Sequence, residues 1–205
     1  MDPHSSCVVF DLDDTLIDTR GLLLPAALAG VARAAGVPVA KLNASGKRIE
    51  EVLAGVEDLT PVRWAAAAAA WRSDDLPPLQ PLPGVRDLLA RLKGRTWLAL
   101  VTRGDPLRQR RKIEVTGLQP CFDALVIRPV EAPGTKRDDL RALLGRRGLP
   151  PDRCAVVGDD PEDELLHAAA LGCLPIRVPN TPLDRIPEIL ARTGLLVGEG
   201  RPWNR

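Results

Sequence analysis

The chain has 205 residues, enough for one compact α/β domain with a small attached module and too few for two large independent domains. Hydrophobic residues make up 45% of it, and 28 Lys plus Arg nearly balance 27 Asp plus Glu, for a formal charge of +1. A core of ordinary size can therefore form, while the charge gives no general reason to expect nucleic acid or an anionic membrane as a partner.

In chain order, Met1-Asp2-Pro3-His4 carries no basic lead into an apolar signal region, and no stretch approaches an uninterrupted membrane span. A soluble cytoplasmic protein is expected. The apolar run Cys7–Phe10 then ends in Asp11-Leu12-Asp13-Asp14-Thr15, the pattern of a central parallel strand that delivers acids at its carboxyl edge. Cys7, Cys121, Cys154 and Cys173 lack paired C-x-x-C spacing and read as reduced thiols.

No further strand is expected until about residue 96. The intervening stretch looks helical, with candidates at Leu22–Ala35, Gly46–Ala54 and Pro61–Arg72. Thr60 or Asp58 can cap the last of these, and Pro61 is tolerated in its first turn. Trp64 and Trp71, seven residues apart, share nearly one helix face and are expected to pack the module. Pro77, Pro78, Pro81 and Pro83 stop the helical pattern and form the return connection. The expected division is a core of 1–17 and 81–205 with an inserted helical cap at 18–80.

After residue 84 strands and helices alternate, the signal for parallel crossover units. Strands are predicted at Thr96–Val101, Ala124–Ile127, Cys154–Val157 and Leu174–Val178. Helices are predicted at Val85–Leu92, Pro106–Thr116, Lys136–Arg147 and Glu162–Leu171. The segment 198–205 is polar and contains Gly and Pro, so little order is expected there.

Three further features sit where these strands end. Thr102 offers a hydroxyl donor, Gly104 a tight turn with exposed amides, and Arg103 an added charge, all suited to phosphate oxygens. Lys136 opens a helix whose amides also favour an anion. Gly158-Asp159-Asp160-Pro161-Glu162-Asp163 supplies carboxylates from a second strand end, the oxygen ligands that a hard divalent cation needs. The only histidines are His4 and His167, and no His/Cys grouping points to zinc.

The ordered set Asp11-Leu12-Asp13-Asp14-Thr15, Thr102-Arg103-Gly104, Lys136 and Gly158–Asp163 resembles the four motifs of the haloacid dehalogenase-like hydrolase superfamily. Within it the chain resembles the capped phosphatases of the phosphoglycolate phosphatase-like group. That resemblance implies an α/β class fold, a three-layer α/β/α Rossmann-like core with a mostly parallel sheet and an inserted helical cap. It implies a magnesium-dependent phosphatase acting on a small phosphorylated metabolite through an aspartyl-phosphate. Asp11 would be the nucleophile and Asp13 the general acid and base; Thr102, Arg103, Gly104 and Lys136 would bind phosphate. Asp11, Asp13 (through its backbone oxygen), Asp159 and Asp163 would hold the metal.

Arg103 departs from the small or amide-bearing residue common at that place, and Lys112 is an alternative to Lys136. Arg33, Lys47, Arg48 and Arg63 are candidate charges of the cap facing substrate. Other phosphoryl-transfer or phosphonate-hydrolase chemistry remains an alternative. So does a non-enzymatic phosphate-responsive binding protein using Arg108, Arg110, Arg111 and Lys112. Neither membrane nor nucleic acid is expected as a partner, and the substrate and oligomeric state are left open.

Overall fold

The computed structural model describes residues 5–46, 48–72 and 76–196. Lys47 and the segment 198–205 lie outside the described residues. The strands are β1 (Cys7–Phe10), β2 (Trp97–Arg103), β3 (Ala124–Arg128), β4 (Cys154–Gly158) and β5 (Leu174–Arg177). The helices are α1 (Leu24–Ala35), α2 (Ile49–Val52), α3 (Pro61–Trp71), α4 (Val85–Leu92), α5 (Pro106–Val115), α6 (Lys136–Arg147), α7 (Leu166–Leu171) and α8 (Ile186–Arg192).

All strand pairs are parallel, in the order β3-β2-β1-β4-β5. Val8 lies opposite Leu98 on one side and Ala155 on the other, so β1 is central. Its four residues are buried, because helices cover both faces. Val8, Phe10, Leu98, Leu100 and Val157 pack under Leu88, Leu89, Ile113 and Leu190 of α4, α5 and α8. Cys7, Val9, Ala99, Val101 and Val156 pack on Leu140, Leu143, Leu144 and Ala168 of α6 and α7. The period-two alternation of strand side chains creates these two faces, and hence the expected three-layer α/β/α architecture.

Strands β1 to β3 progress towards one edge, while β4 and β5 lie on the other side of β1. The direction of winding therefore reverses between β1 and β4, and the crevice outside their carboxyl ends is where open α/β sheets place ligands. The acids after Phe10 and those after Gly158 both open into that crevice.

The expected helical cap follows β1. Leu28, Val31, Ala35, Ile49, Val52 and Ala67 bury against one another in a cluster separate from the two sheet faces. The small Ala67 and Ala68 side chains, both fully buried, let α3 lie close on α1. The Thr60 hydroxyl accepts from the Arg63 amide at 3.3 Å with Pro61 in the first turn, so Thr60 rather than Asp58 caps α3. Trp71 packs against the cap cluster, whereas Trp64 is 39% exposed. The outgoing and returning chains lie side by side: Ile17 bridges Pro81, and the Leu82 amide donates to the Leu16 carbonyl at 2.8 Å.

Several boundaries differ from the sequence reading. The first cap helix is preceded by a π-helical turn at Thr19–Leu23, where the Asp18 side chain accepts from the Gly21 amide. The second shrinks to α2, because the Asn43 amide bonds to the Val52 carbonyl at 2.9 Å and closes the chain on itself. The helix expected at Glu162–Leu171 begins as a π-helical turn at Pro161–Leu165, with Asp160 accepting from the amides of Glu162 and Asp163. Helix α8 was not predicted. Its inner face is short, with Ile186, Pro187 and Leu190 buried and Ile189 packed beside them, and Pro187 in its first turn resembles a breaker.

Candidate active site

The site begins where β1 ends. The Asp11 amide donates to the Val157 carbonyl at 3.0 Å, carrying strand pairing one residue further and fixing the Asp11 backbone. The chain then coils tightly: the Leu16 and Ile17 amides both reach the Leu12 carbonyl, and Asp14 takes a left-handed φ of 57°. A non-glycine residue in that region stores backbone strain, which the surrounding hydrogen bonds hold in place. The coil sends Asp11 and Asp13 to two different clusters.

Asp11 enters the first, where the Lys136 ammonium lies 2.7 Å from Asp11 Oδ1 and 2.7 Å from Glu164 Oε2. Asp163 Oδ2 is farther, at 3.6 Å. Lys136 is brought there by the first turn of α6, which Thr135 and Asp138 close with a reciprocal capping box. The other Glu164 oxygen accepts from the Asp160 amide at 2.9 Å. Carboxylate oxygens of Asp11, Asp159 and Glu164 all lie within 4.8 Å of one another.

The second cluster surrounds Asp13. Lys112 donates to Asp13 Oδ1 at 2.7 Å, Gln109 Nε2 to Oδ2 at 2.8 Å, and the Thr19 hydroxyl also to Oδ1. The same Gln109 amide donates to the Thr102 hydroxyl at 2.7 Å. Thr102 is therefore tied to Asp13 through one side chain. Arg20 spans Asp14 and Asp159 at the exposed mouth, at 3.5 and 3.6 Å.

The electrostatics differ between the clusters. Burial pushes the Asp11 carboxyl up to about 7; Lys136 opposes this, while Glu164 and Asp13 add to it. Burial also raises Asp159, with help from Glu164 and Asp14. At Lys136 burial works against the charge, but Asp11 and Glu164 outweigh it and hold the ammonium protonated. At Asp13 burial again favours the neutral form, yet the Lys112 charge and the donors around it win and lower the pKa.

Three converging carboxylates against one ammonium leave an excess of negative charge in a poorly solvated place, and every donor atom of the trio is oxygen. That is the chemistry of a hard divalent cation site, and the residues fit the magnesium ion that the sequence implies.

Of the residues singled out in the sequence, Asp11, Lys136, Asp159 and Asp163 converge on the first cluster, and Asp13 and Thr102 on the second. Arg103 turns to the Val130 carbonyl at 2.7 Å, and the Gly104 amide is committed to the Arg128 carbonyl at 2.9 Å. Glu164 and Gln109 were not anticipated. Glu164 comes in because the π-helical turn adds one residue before α7. The one signal for Gln109 is its spacing of three from Lys112 on the helix that follows Thr102, a weak one for an uncharged side chain among basic residues. In the cap, Arg48 pairs with Glu51 at 2.8 Å, the Arg63 guanidinium lies over Gly36, and Arg33 is exposed. Arg108 stacks over the Trp71 ring at 5.7 Å and Lys112 turns inward, so the four basic residues of α5 do not form one common surface.

A parallel α/β core with a helical cap, joined to a buried carboxylate cluster at the switch between β1 and β4, defines a metal-assisted hydrolase. Residues 6–172 match the haloacid dehalogenase-like hydrolase family, and the chain belongs to it. It is 28% identical over 201 residues to human N-acylneuraminate-9-phosphatase, covering 77% of this chain and 75% of that protein. It is 25% identical over 212 residues to the glyceraldehyde 3-phosphate phosphatase of Methanothermobacter thermautotrophicus, covering 92% of each. A haloacid dehalogenase-like family hydrolase structure from Xanthomonas campestris superposes with a TM-score of 0.68 at 18% identity, over 94% of this chain and 99% of that one. This enzyme is thus a hydrolase whose buried acids suit magnesium-assisted phosphoaspartate chemistry on a small phosphorylated substrate. No helix of the described residues is long and apolar enough to cross a membrane.

Proposed function

We propose that the protein is a phosphomonoesterase in which Asp11 is the nucleophile and Asp13 the proton carrier. The single observation behind this assignment is the placement of Lys136, 2.7 Å from Asp11 in a site that also gathers Asp159 and Glu164. Asp11, Asp159 and Glu164 would hold magnesium, with Asp163 and the Asp13 backbone oxygen as supporting ligands. A magnesium ion there neutralises carboxylate charge and polarises phosphoryl oxygens.

An Asp11 carboxylate oxygen attacks phosphorus, and the bond from phosphorus to the ester oxygen breaks. Asp13, which takes up a proton from solvent as substrate binds, gives that proton to the ester oxygen, which leaves as an alcohol. Water then attacks the phosphorus of the aspartyl-phosphate and passes a proton to the Asp13 carboxylate. The bond to Asp11 breaks, inorganic phosphate leaves, and both acids return to their starting state. The Lys136 ammonium and Thr102 hydroxyl bind the phosphoryl oxygens as charge shifts among them.

The two curated relatives named above are both phosphatases of small phosphorylated metabolites by name, which supports the same substrate class here. We assign residues 18–80 to a cap that selects the substrate and excludes bulk water, and 1–17 with 81–205 to the core. The paired strands of chain at Ile17–Pro81 and Leu16–Leu82 support that division.

The test is a phosphate-release screen over small phosphorylated metabolites, with and without magnesium, using the parent, Asp11→Asn and Asp13→Asn. Asp11→Asn is expected to fold and lose turnover. Asp13→Asn is expected to lose roughly 100- to 10,000-fold, the range typical of general acid–base catalysis. Turnover that survives Asp11→Asn would rule the mechanism out.

A further inference from the structure

Two lysines reach the acidic loop, and the reaction as written uses only Lys136. Lys112 lies near the end of α5 and is 5% exposed, with its ammonium 2.7 Å from Asp13 Oδ1. Gln109, one turn earlier and 2% exposed, holds Asp13 Oδ2 at 2.8 Å. Their spacing puts both donors on one helix face. A buried ammonium costs stability unless its charge is answered, and an apolar side chain in its place would avoid that cost. A residue that breaks a local rule beside a reactive acid points to function.

We propose that Lys112 and Gln109 are positioning residues that hold the Asp13 carboxylate for the second half of the reaction, the hydrolysis of aspartyl-phosphate. This inference rests on the phosphatase reading above. Each oxygen of Asp13 has its own donor from α5, so both side-chain torsions are fixed. The ammonium and the amide N–H both donate, so they hold the two carboxylate oxygens as acceptors, the arrangement in which Asp13 takes up the proton of the attacking water. In that step the bond from water oxygen to phosphorus forms, the bond to Asp11 breaks and the water proton goes to Asp13. Lys112 keeps its own proton throughout. Gln109 also donates to Thr102, so the proton acceptor and a phosphate-binding hydroxyl share one reference point. Gly104 leaves room for this arrangement: a Cβ there would lie 2.9 Å from Gln109 Cγ and Cδ.

The two lysines therefore divide the chemistry, Lys136 serving Asp11 and Lys112 serving Asp13. Slowing only the second step lowers kcat and KM together and leaves kcat/KM nearly unchanged, because kcat/KM reports events up to the first phosphoryl transfer. A merely structural loss does not produce that pattern.

The experiment compares the parent, Lys112→Met, Lys112→Arg, Gln109→Leu, Asp13→Asn and the double variant Asp13→Asn/Lys112→Met. The probe is p-nitrophenyl phosphate with magnesium, whose leaving group needs no proton, and acid-quenched intact mass measures phosphorylated enzyme. For Lys112→Met we expect kcat to fall about tenfold or more and kcat/KM to stay within about threefold. Phosphorylated enzyme should accumulate, and Lys112→Arg should recover part of the rate. Gln109→Leu should also accumulate phosphorylated enzyme, with kcat/KM falling as well because Thr102 loses its donor, which keeps the test open if Lys112→Met misfolds. In the Asp13→Asn background, removing Lys112 should add less than about twofold, since both act through one group. Losses that multiply in the double variant overturn the inference. So does a parallel fall in kcat and kcat/KM without phosphorylated enzyme. A parent that neither turns over the probe nor becomes phosphorylated defeats the phosphatase reading itself, as does an Asp13→Asn enzyme that matches the parent.

Discussion

A methyl group on Gly158 would stand 2.4 Å from both Cγ and Oε1 of Glu164, so the last residue of β4 has to be glycine for Glu164 to reach the site. Glu164 is 3% exposed and shares Lys136 with Asp11. Gly158→Ala forces the carboxylate outward or strains the turn, and overpacking of this kind costs about 1–3 kcal/mol. We expect a lower melting temperature and clearly weaker magnesium binding. Glu164→Gln should weaken the metal with little change in packing. Calorimetric magnesium titration of both variants checks this; a folded Gly158→Ala protein with parental affinity would contradict it.

Lys136 is the next prediction. It is 8% exposed and faces Asp11, Glu164 and Asp163, so Lys136→Met leaves buried carboxylates without their cation. Removing one partner of a buried pair typically costs about 3–5 kcal/mol. Denaturant unfolding in the absence of metal should show a loss of that order. Magnesium should recover more stability in this variant than in the parent, since it answers the same charge. An equal gain in both proteins would argue against a shared site.

The fold was largely legible because burial on both faces writes a plain signal. Runs such as Cys7–Phe10 and Cys154–Val157 are continuously apolar and end in acids, and helical periodicity fills the gaps between them. The site was legible in its acids for the same reason, since a strand end fixes where Asp11 and Asp159 emerge. Glu164 was hidden because a π-helical turn shifts its register by one residue from that of the ordinary helix which the pattern of Glu162–Leu171 implies. Gln109 was hidden because an uncharged side chain on a basic helix looks like surface, and only the fold turns it towards Asp13 and Thr102.

The cap and core also meet through Trp71 and Arg108. The guanidinium of Arg108, on α5, lies 5.7 Å from the Trp71 ring centre at the end of α3, and it donates to the Trp71 carbonyl. A contact of this type is worth about 0.5–1 kcal/mol where it is exposed. Arg108→Ala should therefore scarcely move the melting temperature but should loosen the end of the cap. The expected result is a raised KM for the natural substrate, with faster proteolysis near the return connection. Unchanged KM and unchanged proteolysis would mean that this contact does not hold the cap.

The pH dependence of stability follows from Asp11. Its carboxyl is raised from 3.8 to about 7 by burial, so between those values the folded metal-free protein holds a proton that the unfolded chain has lost. Stability must then fall as pH rises across that window and level off above it. Asp159 is raised too and acts with the same sign. Asp13 is lowered, so its contribution is already complete above 3.8 and does not cancel the fall. Magnesium competes with the Asp11 proton, and its affinity should rise with pH by up to about tenfold per unit until about pH 7. Asp11→Asn removes the main titrating group while keeping its shape. In chelator, the parent should lose melting temperature relative to Asp11→Asn between about pH 5 and about pH 8. With saturating magnesium that difference should shrink or reverse, because only the parent retains the full ligand set. Thermal unfolding of both proteins across this range checks the sign, and parallel curves in chelator would show that Asp11 is not the group responsible.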